Sequence, residues 1–166
     1  MLTTQLVEKR FTTILALAIV VLFATATTFA DISVTVAGAT NTTPNLAANY
    51  TSLANALTDL NLVTTMTGPV TLTLGDGTSE TAPPTGLTIG SASLNAVLST
   101  TNTVTIVKAS GTVTLNAGVG TSTPGSASQD GILNLVGADW ITIDGLTLTD
   151  GNATNPATME YGIGLF

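Results

Sequence analysis

From Val70 onward the chain consists of short alternating runs, and this feature constrains its fold more than any other. The runs are VTLTL (70–74), LTI (87–89), VTIV (104–107), VTL (113–115), ILNLV (132–136), ITI (141–143), LTL (146–148) and GIGLF (162–166). Period-two alternation predicts strands with one buried and one solvated face. Val70, Leu72, Leu74, Val104, Ile106, Val113, Leu115, Ile141, Ile143, Leu146 and Leu148 then point inward, and the intervening threonines point outward. The runs also recur: Val70 and Val104 are 34 residues apart, Val104 and Ile141 37. A repeat of that length predicts a solenoid whose turns stack on one another. The length beyond a minimal repeat falls to loops such as GVGTSTPGSASQDG (118–131), rich in Gly, Ser, Thr and Pro.

Ahead of these runs the chain reads differently. Lys9 and Arg10 precede a thirteen-residue apolar run, FTTILALAIVVLF (11–23), and then small residues ending at Ala30. This is the pattern of a signal peptide over 1–30, cleaved before Asp31. The run is shorter than the ~20 residues that span a bilayer, so no membrane association is expected after cleavage. The expected location is secreted, extracellular or at a bacterial cell surface. Residues 31–69 read as an N-terminal cap: a strand in ISVTVAG (32–38), then a short helix in YTSLANALTDLN (50–61). Leu53, Ala56, Leu57 and Leu60 fall on one helix face, with Thr51 or Ser52 available as N-cap.

Removing residues 1–30 leaves one cation, Lys108, against nine acids, a net charge of −8. One lysine cannot neutralise a phosphate backbone or an anionic lipid surface, so nucleic acid and membrane are excluded as partners. The chain has no Cys and no His. It therefore lacks disulfides, thiolate metal sites, and the commonest general base and transition-metal ligand.

The cap helix, the strand and turn VTLTLGDGTSET, the pair VTIVKASGTVTLNAG and the segment ILNLVGADWITIDGLTLTDG together resemble the right-handed parallel β-helix proteins of the pectate-lyase-like superfamily, in particular the β-helix repeat proteins that bacteria secrete. The resemblance covers roughly Tyr50 to Phe166. It implies an all-β fold, a right-handed parallel β-helix over 70–166 behind a short N-terminal capping helix. The lyases and esterases of that superfamily imply an arginine in the site, the esterases glutamines as well. Here no Arg follows residue 30 and Gln129 is the only Gln after it, so no catalytic residue is carried over. Glycosidases of the fold need only carboxylates. The expected role is structural or adhesive, in contact with extracellular polysaccharide or cell-surface components. The alternative is the N-terminal portion of a polysaccharide-degrading enzyme whose catalytic coils are absent. The final run, GIGLF, reads as an uncapped strand, and the expectation is continuation into further coils or end-to-end self-association.

Candidate ligand-binding residues are few. Asp139, Trp140 and Tyr161 are the ones singled out, because an exposed aromatic stacks on a sugar ring and a carboxylate binds its hydroxyls. Asp144 and Asp150 could contribute to a calcium site, calcium being the one cofactor considered. Each precedes a glycine, however, and Asp-Gly is first of all a turn dipeptide. Asp76 and Glu80, in GDGTSE (75–80), could bind a cation, but the resemblance implies that this stretch is the turn after the first long strand. Paired threonines such as Thr71/Thr73 and Thr147/Thr149 read as β-propensity and solubility. The sequons at Asn41 and Asn152 carry little weight alone.

Overall fold

The computed structural model describes residues 31–75, 79–119, 131–150 and 161–166. The signal-peptide reading, Asp76, Gln129 and the sequon at Asn152 lie outside the described residues.

Strand β1 (Val34–Ala37) carries the first alternation, with Val34 and Val36 buried and Thr35 and Ala37 exposed. A single 3-10 turn (Ala39–Asn41) follows, then two-residue strands β2 (Thr42–Thr43) and β3 (Asn49–Tyr50). Helix α1 (Leu53–Leu60) forms where the 3.6-residue spacing requires it and buries Leu53, Ala56, Leu57 and Leu60. Ser52 is its N-cap, its hydroxyl accepting the Asn55 N–H at 3.1 Å. After β4 (Thr65–Met66) come β5 (Val70–Leu74), β6 (Ser79–Thr81) and β7 (Leu87–Ile89). A second, one-turn helix, α2 (Ala92–Asn95), was not foreseen; Ser91 caps it in the way Ser52 caps α1. The remaining strands are β8 (Val104–Lys108), β9 (Val113–Asn116), β10 (Gly131–Leu135), β11 (Ile141–Asp144), β12 (Leu146–Thr149) and β13 (Tyr161–Leu165).

These strands form four small separate sheets, ordered β11-β8-β5-β1-β3, β13-β10-β7, β12-β9-β6 and β2-β4. The right-handed parallel β-helix expected over 70–166 is corrected by this finding. Among the described residues no closed or solenoid sheet occurs, and the pairing is mixed. In the largest sheet β5, β8 and β11 run parallel, but β1 lies antiparallel to β5 and β3 antiparallel to β1. The β2–β4 pair is wholly antiparallel. The physical reason lies in two places. Turns at glycines with positive φ, Gly111 at 54° and Gly145 at 74°, end one ladder and start another, so strands of three to five residues never join into a continuous sheet. And the 32–38 alternation, read as part of the N-terminal cap, forms β1, whose backbone pairs antiparallel onto the edge of β5.

The repeat intervals do correspond to register. Val70 pairs with Val104 and Val104 with Ile141, so the spacings of 34 and 37 residues separate ladder neighbours. Inward residues form apolar columns along the ladders. Val70, Leu72, Leu74, Val104, Ile106, Val113 and Leu115 are all fully buried, and the core they build continues through Ile32, Leu57 and Leu133. Residues 31–69 and the strands that follow thus share one core.

Candidate functional site

Trp140 ends the connection between β10 and β11. Its backbone lies at φ 60°, the one non-glycine residue with positive φ among the described residues. Its carbonyl accepts the Val104 N–H at 3.1 Å, which fixes the corner against β8. The side chain is 50% exposed. A bulky residue in the left-handed region costs on the order of 1 kcal/mol or more, and glycine would avoid the cost. Trp140 therefore suits neither the backbone nor the core. Asp139, beside it, is exposed, and Gly137, three residues earlier, donates its N–H to the Phe166 carbonyl at 2.8 Å. Phe166 is also partly exposed, its ring over Gly164. This corner presents a carboxylate and an indole face.

Tyr161 stands elsewhere. It opens β13 and pairs with Gly131 at the start of β10, whereas Trp140 comes after β10 has ended. A five-residue strand, roughly 13–17 Å, lies between the two positions. Asp139 and Trp140, neighbours in the chain, share the corner, and Tyr161 is an exposed aromatic apart from them. Chain order could not show this, because the separation depends on which ends of parallel strands face each other.

Asp144 and Asp150 are both exposed, at the ends of β11 and β12. Asp144 precedes Gly145, whose φ of 74° makes the turn. A Cβ at Gly145 would lie within 2.9 Å of the Lys108 aliphatic chain, so only glycine lets that chain cross the turn. The Lys108 Nζ donates to the Gly111 carbonyl at 2.9 Å. Among the described residues no three His, Cys, Asp or Glu side chains gather as a metal site would require.

Glu80 differs most from its reading as a turn residue. It lies inside β6, pairs with the core residue Leu115, and is only 3% exposed. Its two carboxylate oxygens accept the Leu53 N–H at 2.7 Å and the Ala54 N–H at 2.9 Å, the first turn of α1. Burial raises its pKa above the ordinary 4.5. The N–H groups of Ala54, Leu53 and Ile32 work in the opposite direction, and nearby Asp31 adds to the rise. Alternation was the missed signal: Ser79-Glu80-Thr81 places Glu80 on the inward side. Its partners are helix N–H groups, so its role is to fasten α1 to the sheet.

The chain matches no protein-family model, no curated protein and no solved structure. A cleft of about 230 Å³ lies between α1 and the turn before β7. It is smaller than the ~300–1,000 Å³ usual for ligand pockets. Its amide is already occupied: Asn61 Nδ2 donates to the Thr88 carbonyl and Oδ1 accepts the Gly90 N–H, each at 2.9 Å. The Asn41 amide is likewise engaged, donating to the Pro69 carbonyl at 2.9 Å. The corner at Asp139 and Trp140 is the stronger candidate.

Proposed function

We propose that this chain is a secreted or cell-surface bacterial protein with a structural or adhesive role, and that it contacts glycan at the Asp139–Trp140 corner. The observation that carries the reading is Trp140 itself, a half-exposed indole held in a backbone conformation that opposes it. Neither folding nor packing accounts for a tryptophan there, whereas a ring presented to solvent on a fixed corner suits stacking against a pyranose face, with Asp139 accepting from sugar hydroxyls. The signal-peptide pattern and the scarcity of cations support an extracellular role. Outward rows of hydroxyls, such as Thr71, Thr105 and Thr142 across three strands, suit a hydrated extracellular surface.

Trp140 is the only tryptophan in the chain, so its fluorescence reports this corner alone. Titration with soluble neutral and acidic polysaccharides is expected to quench or shift the emission saturably. Trp140→Phe should weaken binding and Trp140→Ala abolish it, as read by calorimetry. An emission spectrum unchanged across the panel would count against the proposal.

A further inference from the structure

Pro69, Thr103 and Trp140 each stand one residue before a strand, β5, β8 and β11, and these strands pair in register at Val70, Val104 and Ile141. The Val70 N–H donates to the Thr103 carbonyl at 2.9 Å and the Val104 N–H to the Trp140 carbonyl at 3.1 Å, so the ladder continues through the corners themselves. The three corner residues therefore lie on one line across the largest sheet. Paired strands are ~4.8 Å apart, which makes the line from Trp140 to Pro69 on the order of 10 Å long. Val70 and Val104 are fully buried, and the residue before each is on the outward side: Thr103 is partly exposed and Pro69 exposed.

Each position is fixed by further bonds. The Pro69 carbonyl accepts from the Asn41 amide at 2.9 Å. The Asn102 amide, next to Thr103, donates to the Met66 carbonyl at 3.1 Å and to the Val97 carbonyl at 3.2 Å. A surface already held in place loses little freedom on binding, which favours a ligand that spans it. The line presents an indole face, a hydroxyl beside a methyl group and a pyrrolidine ring, none of them charged.

The charges around it are negative or distant. Asp139 adjoins Trp140 and is exposed. Lys108 is the only Lys or Arg among the described residues, and it ends β8, four residues beyond Val104 and so roughly 13 Å from the line. Its ammonium group donates to the Gly111 carbonyl at 2.9 Å. A uronate or sulfate on a bound sugar would meet the Asp139 carboxylate with no described cation at hand. A neutral pyranose instead offers its C–H face to the rings and its hydroxyls to Asp139 and Thr103.

We infer that the line from Trp140 over Thr103 to Pro69 is a track for an uncharged linear glycan laid across the strands, with Thr103 a second contact residue. The inference rests on the reading of Trp140 as a glycan contact. It adds the direction of the bound chain, its charge class, and a residue 37 positions from Trp140 in the sequence.

Trp140 emission and calorimetry test this with glucan, mannan and galactan oligosaccharides, their monosaccharides, and oligogalacturonates. A neutral oligosaccharide is expected to bind at least about tenfold more tightly than its monosaccharide, or ~1.4 kcal/mol, with little dependence on salt. Oligogalacturonates should bind at least about tenfold more weakly at low ionic strength, and added salt should narrow the gap by screening Asp139. Thr103→Val removes the hydroxyl and keeps the shape, and should weaken the neutral oligosaccharide about fivefold, the effect of one hydrogen bond. Thr103 is partly exposed, and a far-UV spectrum matching the parent shows that the fold is kept. Oligogalacturonates bound as tightly as neutral oligosaccharides at low salt would overturn the inference and leave the contact at Trp140 standing. So would a monosaccharide bound as tightly as its oligomers, or unchanged affinity in folded Thr103→Val. No saturable response to any of these sugars would remove both the track and the glycan reading.

Discussion

Glu80 and Leu53 are 27 residues apart in the chain, yet the Glu80 carboxylate accepts the Leu53 N–H at 2.7 Å inside the core. One side chain thereby joins the first turn of α1 to strand β6. Its other oxygen takes the Ala54 N–H, while Ser52 takes that of Asn55, so three of the four free N–H groups at the helix start are satisfied by side chains. Glu80→Ala leaves two of them unpartnered and partly or wholly buried, and is expected to cost about 2–4 kcal/mol in urea unfolding. Ser52→Ala removes one cap bond and should cost about 1 kcal/mol.

The same carboxylate gives stability a pH dependence. Because its folded pKa is raised above 4.5, the folded state binds the proton more tightly than the unfolded state does. Its contribution is fully present below pH 4.5 and is lost as pH rises through the folded value. Unfolding midpoints are expected to rise on acidification from pH 7 towards 5, and by more in the parent than in Glu80→Gln. Equal slopes in the two proteins would show that the remaining acids carry the effect.

At alkaline pH the relevant group is Tyr50. Its hydroxyl donates to Asp59 Oδ2 at 2.9 Å and accepts the Ala47 N–H at 3.0 Å. Burial first, and then the Asp59 carboxylate, raise its pKa above 10.0, while the Ala47 bond acts the other way. Stability from this group holds below pH 10 and is lost as pH rises through the folded value. Absorbance titration of the phenolates should show a component above pH 10 that Tyr50→Phe removes.

Trp140 separates stability from binding. Trp140→Gly relieves the positive φ and should stabilise the fold by about 0.5–1 kcal/mol, although glycine's extra unfolded-state freedom offsets part of the gain. The same change should abolish the proposed glycan contact. A loss of stability would mean that the indole packs more than its exposure indicates.

The two ends of the core columns should differ in sensitivity. Leu115→Ala, in a fully buried position, is expected to cost about 2–5 kcal/mol. Leu165→Ala, 77% exposed, should change monomer stability by no more than about 0.5 kcal/mol. Both are read from urea unfolding midpoints.

Local pattern made much of this molecule legible. Period-two alternation places Val70, Leu72 and Leu74 inward, the helical spacing of Leu53, Ala56, Leu57 and Leu60 marks α1, and the 34- and 37-residue intervals give the ladder register. These follow from backbone geometry, which ties side-chain direction to position along the chain. The sequence alone likewise determined the absence of Cys and His and the scarcity of cations, and with them the chemistry the chain lacks. Tertiary structure decided the rest. How strands divide among sheets, and whether β1 meets β5 antiparallel, depends on turn geometry and on which apolar edge is free, and neither is carried by alternation. Glu80 faces inward on alternation, but only the docking of α1 supplies the N–H groups that make a buried carboxylate tolerable. Trp140 and Tyr161 both carry exposed rings, yet a strand length separates them because Tyr161 opens β13 beside the start of β10, whereas Trp140 follows the end of β10. Asp139 and Trp140 are together because they are chain neighbours, whereas residues distant in the chain share a site only when packing brings their strands together, and here it sets Tyr161 apart.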